Sequence, residues 1–137
     1  MKPSAEADFS NKSLVQKLGL RQDMRAISIN APEDYKLWLG SGSAILKTRI
    51  RPPWDFVHLF TNDISELEDQ LLRLRSLIKT DGMVWVSWYK KSSGKPTQIN
   101  EDIIRDTCLP LGFVDVKVCP VSNDWSGLKL VIRLALR

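Results

Sequence analysis

The sequence predicts an α/β fold: a mostly parallel, twisted sheet of about six strands that ends in an antiparallel hairpin and carries helices on both faces. Apolar runs of strand length alternate with runs of helical spacing, the order that gives right-handed crossovers in a parallel sheet. Two runs, Trp54-Asp55-Phe56-Val57-His58-Leu59-Phe60 and Met83-Val84-Trp85-Val86-Ser87-Trp88, are apolar on both faces, as central strands between two helical layers must be. The last two runs are joined by residues 120–127 alone, too few for a crossover helix. They must pair antiparallel.

Each element follows from local chemistry. Residues 1–10 are polar and aperiodic and read as a loose tail, with one domain over residues 11–137. Leu14, Val15 and Leu18 stand at helical spacing, and Gly19 closes a short helix over residues 11–18. Ile27 and Ile29 alternate with Ser28 in a first strand over residues 25–29. Pro32, whose missing N–H has no partner to lose in a first turn, and the acidic Glu33 and Asp34 suit the start of a helix running to Leu39, with Tyr35, Trp38 and Leu39 inward. Gly40 and Gly42 end it, a second strand is expected over residues 44–48, and Pro52-Pro53 stops the chain before Trp54. Asp63 with Glu66 and Ser65 with Glu68 both fit a capping box, and Ile64, Leu67, Leu71, Leu74, Leu77 and Ile78 hold one face of a helix through Lys79. Asp81-Gly82 closes that helix before the next strand. A polar loop over residues 89–98 leads to a helix over residues 101–109, capped by Asn100 and limited by Pro110 and Gly112. In the final hairpin Val114, Val116 and Val118 alternate with Asp115, Lys117 and Cys119, and Leu128, Leu130, Ile132 and Leu134 alternate with Lys129, Val131 and Arg133.

Composition narrows the function classes. The 137 residues carry 20 Lys and Arg against 16 Asp and Glu, a net charge of +4 that permits attraction to anionic partners without demanding it. Basic residues gather at Lys47, Arg49 and Arg51 and at Lys90, Lys91 and Lys95, both in loops, where solvated surface is the default and nucleic acid the less favoured partner. Lys129 and Arg133 break the longest apolar run, so nothing reaches the roughly 18 to 20 residues of a membrane span. Glu6 and Asp8 stand where a signal peptide needs an apolar core, so a cytoplasmic location without a membrane partner is expected. Cys108 and Cys119 lack CxxC or Cys/His spacing, which predicts two reduced, buried thiols and no metal site. His58, the one histidine, lies mid-strand, short of the strand end where α/β sites form. It reads as a satisfied core histidine and leaves none for a Ser/His/Asp or Cys/His triad.

Residues 25–35, Arg25-Ala26-Ile27-Ser28-Ile29-Asn30-Ala31-Pro32-Glu33-Asp34-Tyr35, run from strand to helix without a glycine, although backbone that approaches a phosphate or nucleoside has no room for a side chain. The strand from Trp54 to Phe60, the long helix after it, Asp81-Gly82-Met83-Val84-Trp85-Val86-Ser87 and the terminal hairpin together resemble the class I S-adenosylmethionine-dependent methyltransferases, which implies a Rossmann-like fold. More closely, Trp85-Val86-Ser87-Trp88 with Lys90-Lys91, and Asp115-Val116-Lys117-Val118-Cys119 followed by Trp125-Ser126-Gly127-Leu128-Lys129, resemble a bacterial family of short, pared-down relatives of those enzymes, whose motifs carry no assigned function. The resemblance covers residues 14–133. It implies glycines after the first strand, where this chain has Asn30-Ala31-Pro32, and a ribose-holding acid at the end of the second, where it has Leu46-Lys47-Thr48-Arg49. The short link from Thr48 to Trp54 also omits one strand–helix unit of the full fold. S-adenosylmethionine is therefore disfavoured as a cofactor, and no other is indicated.

A ligand or partner site is expected at the carboxyl edge of the sheet, around Asn30, Thr61, Trp88, Lys90, Lys91, Trp125 and Ser126. Lys90, Lys91 and Lys95 with Ser92, Ser93 and Gly94 suit a small anion, although Tyr89 and Pro96 stand where a phosphate loop needs glycine and a hydroxyl; a hydrated loop is the alternative. Trp88 and Trp125 fit either a stacking or protein-contact surface or a roof over the core. Asp115, Lys117, Lys129 and Arg133 read as a wetted stripe on the sheet. The expected function is a non-catalytic, methyltransferase-like binding or regulatory module whose partner is an unknown protein or a small anionic ligand. The rivals are an enzyme with a remodelled pocket, methyl transfer included, and a nucleic-acid-binding protein using the basic loops.

Overall fold

The computed structural model describes residues 12–137. The tail expected over residues 1–10 and the helix start at Asn11 lie outside the described residues. Strand β2 (Trp54–Phe60) sets the architecture, because every residue in it except Asp55 is buried. With side chains alternating between faces, it feeds two cores at once. Val57 and Leu59 enter a mainly aliphatic core with Leu67, Leu71 and Leu74 of α3 (Ile64–Leu74) and Ile104 and Cys108 of α4 (Glu101–Cys108). Phe56 and Phe60 enter an aromatic-rich core with Leu18 of α1 (Leu14–Leu18) and Tyr35 and Leu39 of α2 (Tyr35–Leu39). Helices thus cover both faces.

Strands β1 (Ala26–Ile29), β2 and β3 (Ile78–Tyr89) run parallel, and the hairpin of β4 (Phe113–Pro120) and β5 (Trp125–Ile132) continues the sheet antiparallel. The order is β1-β2-β3-β5-β4, five strands rather than about six. The missing strand is the one expected over residues 44–48. A 3-10 turn over Gly40–Ile45 takes up that segment, and only a single bridge from Leu46 to Ala26 remains of the pairing.

Other boundaries moved for identifiable reasons. Helix α2 begins at Tyr35, whose N–H reaches Pro32 O, so Pro32, Glu33 and Asp34 form a turn before the helix and not its first turn. Helix α3 ends at Leu74, not Lys79. Leu77 and Ile78 keep the helical spacing but belong to a new segment, with Ile78 already paired to Trp54. Asp81-Gly82 lies inside β3, in a bulge where residues 79–82 face the single residue Asp55. Glycine suits position 82, since a Cβ there would lie 3.0 Å from the carbonyl oxygens of both Lys79 and Trp54 and would push on that backbone.

A second bulge, between Asp115 and Lys117, breaks the valine alternation of β4. It leaves Val116 and Val118 about half exposed, 53% and 46%, and it divides the expected polar stripe. Asp115 pairs opposite Leu130 and reaches Arg105 at 2.8 Å, whereas Lys117 pairs opposite Lys129. Paired residues share a face, so these charges lie on opposite sides of the sheet. Leu134 falls beyond β5 in a terminal 3-10 turn and is 78% exposed. Cys108 and Cys119 are both buried, and burial pushes the Cys108 thiol up to about 11.

Candidate functional site

The corner after β1 is built around a position that glycine would ordinarily fill. Asn30 has φ 60°, the left-handed region, where asparagine is among the few side-chain-bearing residues tolerated. Its side-chain amide donates to Glu66 Oε2 at 3.1 Å, and Thr61, at the end of β2, donates to Glu66 Oε1 at 2.5 Å. Thr61 is only 3% exposed, and this carboxylate is the near acceptor of its hydroxyl, with Asp63 O at 3.4 Å the more distant one. Glu66 itself is not the partner in a capping box. Asp63 Oδ1 accepts from the N–H groups of Ser65 and Glu66, which frees the Glu66 side chain to bridge the ends of β1 and β2. Gln98 Oε1 accepts from Ile64 N–H at 2.8 Å. The leading N–H groups of α3 are thereby satisfied by the chain's own side chains.

Inward from this corner lies a closed polar chain. His58 Nδ1 is 2.7 Å from Tyr35 Oη and His58 Nε2 is 2.7 Å from Ser87 Oγ, with the imidazole stacked on Phe60. All three polar residues are buried, and burial holds His58 neutral, down to about 3, and pushes the Tyr35 phenol up. His58 is the satisfied core histidine that its mid-strand position predicts. Among the described residues no three His, Cys, Asp or Glu side chains converge to hold a metal ion.

The remaining expected residues fall into two places. Trp88 belongs to the α3/α4 core and Trp125 to the α1/α2 core, so the two indoles are on opposite faces and form no common surface. Trp125 packs against Tyr89 and Phe60 at centroid distances of 4.4 and 5.1 Å, and it roofs the core. Ser126 is held within the ladder, opposite Trp88 on one side and Pro120 on the other. Lys90 donates its N–H to Asp124 O and Lys95 forms an ion pair with Asp124 at 3.1 Å, so the basic loop is tied to the hairpin turn. Trp88 and Lys91, by contrast, line a groove of about 640 Å³ between the end of β3 and the start of α4, together with Gln98, Ile99, Asn100 and Arg105. From the sequence, Asn100 and Glu66 read only as helix-capping residues, and Gln98 and Arg105 carry no assigned role. No local signal marks Gln98, whose partner Ile64 is 34 residues away.

The family described as "Protein of unknown function (DUF3052)" matches residues 5–134. The chain belongs to this family. No curated protein matches it significantly. This DUF3052 chain is similar in fold to a SAM-dependent methyltransferase from Aquifex aeolicus, with TM-score 0.63, 12% identity and 87% of each chain covered. It is similar also to magnesium protoporphyrin IX methyltransferase from Synechocystis, solved with bound SAM, with TM-score 0.56, 14% identity and coverage of 87% of this chain and 74% of that one. The CcbJ methyltransferase from Streptomyces caelestis gives TM-score 0.55 at 7% identity, with 88% of each chain covered. At such identities the likeness shows the fold alone, a pared-down, Rossmann-like methyltransferase fold. Among the described residues of this DUF3052 protein no helix is long and apolar enough to cross a membrane.

Proposed function

We propose that this DUF3052 protein is a non-catalytic, methyltransferase-like binding or regulatory module. The observation that carries the reading is the Glu66 bridge between Asn30 and Thr61, which occupies the turn where a nucleoside would approach the backbone. A cofactor entering there must separate Glu66 from both partners, which leaves the buried Thr61 hydroxyl only the 3.4 Å contact to Asp63 O and costs about 1 kcal/mol. The residues do not fit the group in other respects either. Leu46-Lys47-Thr48-Arg49 offers no carboxylate for a ribose, and Lys47 Nζ is turned back to Ala44 O at 3.1 Å. The one histidine, the usual proton carrier near neutral pH, has both ring nitrogens engaged inside the core.

Calorimetric titration with S-adenosylmethionine tests this reading. The expected result is no saturable binding tighter than about 100 μM, which corresponds to about 5.5 kcal/mol. Tighter, saturable binding defeats it and favours an enzyme with a remodelled pocket.

A further inference from the structure

In the groove after β3 the side-chain oxygens of Thr97, Gln98 and Asn100 are engaged, whereas several of the donors have no protein partner among the described residues. Gln98 Oε1 accepts from Ile64 N–H at 2.8 Å, Asn100 Oδ1 from Ile103 N–H at 2.9 Å, and Thr97 Oγ1 from Ile99 N–H at 3.1 Å. Only the oxygen of a side-chain amide can accept from an N–H, so these contacts fix both amides and leave their NH₂ groups over. Among the described residues neither NH₂ group has a protein partner, nor does the Lys91 ammonium, and all three side chains are exposed to solvent at the mouth of the groove. Trp88 lines the same groove at 7% exposure, and its indole N–H also lacks an acceptor among the described residues, where a buried indole N–H ordinarily has one. The acidic groups show the reverse. Glu101 and Asp102 are both held by Arg105, at 2.8 and 3.2 Å, and Arg105 Nε reaches Asp115.

We propose that this groove binds a small monocarboxylate that carries a carbonyl acceptor and an apolar group, of which an N-acylated amino acid is the simplest form. The Lys91 ammonium suits the carboxylate, and the amide NH₂ groups of Gln98 and Asn100 suit the carbonyl. Trp88 and Ile99, both buried, give the apolar part a floor. Glu101 and Asp102 are already paired with Arg105, which leaves the Lys91 ammonium as the charge that a ligand can meet. The volume of about 640 Å³ is that of a small-molecule site, and the carboxyl edge of the strands is where open α/β sheets take ligands. Gln98 is the one residue shared with the corner, where its oxygen caps α3; Asn30, Thr61 and Glu66 take no part in the groove, so the outcome here is independent of the titration with S-adenosylmethionine.

Nuclear magnetic resonance of the ¹⁵N-labelled full chain tests it, with N-acetylphenylalanine as the probe and phenethylamine as a cationic control. The side-chain NH₂ signals of Gln98 and Asn100 and the Trp88 indole signal should shift saturably, with a Kd of about 1 mM or tighter, and phenethylamine should not move them. Gln98→Glu with Asn100→Asp keeps the oxygen that each helix end needs and exchanges the donors for carboxylates. That double variant should bind the probe at least about tenfold more weakly while the backbone spectrum of α3 and α4 is retained. Should the variant fail to fold, N-acetylphenylalaninamide, which lacks the carboxylate, must bind the wild-type chain more weakly than the acid does. The proposal is overturned by absent or non-saturable shifts at those side chains, by an equal response to phenethylamine, by a folded double variant that binds as well as wild type, or by equal binding of acid and amide.

Discussion

The turn after β1 and the groove after β3 lie along the same edge of one sheet, yet they treat their polar groups in opposite ways. At the turn, Asn30, Thr61 and Glu66 satisfy one another, and the Asp63 and Gln98 side chains satisfy the start of α3. In the groove, the oxygens of Gln98 and Asn100 are engaged and, among the described residues, their NH₂ groups have no protein partner. The contrast separates two roles for polar side chains. Groups that satisfy each other hold the fold together, and groups left unsatisfied at a concave surface are those a ligand can use.

This contrast can be broken at its satisfied end first. His58 is the extreme case, and His58→Ala should lose about 3–5 kcal/mol in urea denaturation, since it opens a cavity and strands the Tyr35 and Ser87 hydroxyls. A mutant as stable as wild type would contradict the structural role. The same residue fixes an acid response. Its folded value is depressed from 6.5 to about 3, so the unfolded chain takes up the proton first. Stability from this group is complete above pH 6.5 and falls by about 1.4 kcal/mol per pH unit as the pH drops toward about 3. Urea midpoints measured from pH 7 to about pH 5, above most carboxylate titrations, should show that slope, and a flat profile counts against it.

Smaller effects sharpen the comparison. Glu66→Ala should cost about 1 kcal/mol, because it leaves the buried Thr61 hydroxyl only the long contact to Asp63 O at 3.4 Å; thermal unfolding that does not move would show that the bridge holds nothing together. At the unsatisfied end, Gln98→Glu with Asn100→Asp should change stability by no more than about 0.5 kcal/mol, since both helix ends keep their acceptors. A large loss there would mean that the NH₂ groups have structural partners after all.

Legibility in the sequence followed the range of the interaction. Strand β2 matched its apolar run from Trp54 to Phe60, and α4 started at Asn100 as its cap chemistry requires. Leu77 and Ile78 misled because one apolar spacing served both a helix and the strand pairing of Ile78 with Trp54. The alternation of Val114, Val116 and Val118 gave no sign of the bulge, which depends on how β5 meets β4. At the corner, the positions of Asn30 and Thr61 at the strand ends followed from the strand order, but Glu66 carried a local capping pattern that concealed its bridge to both. Trp88 and Trp125 looked like one surface until the pleat sent them to opposite faces.

A crystal of the protein soaked in S-adenosylhomocysteine puts the closed turn to the most direct test. The account predicts the Asn30–Glu66–Thr61 bridge intact, with no adenosine density beside it. Adenosine lodged at that turn, with Glu66 swung away from both partners, would contradict it.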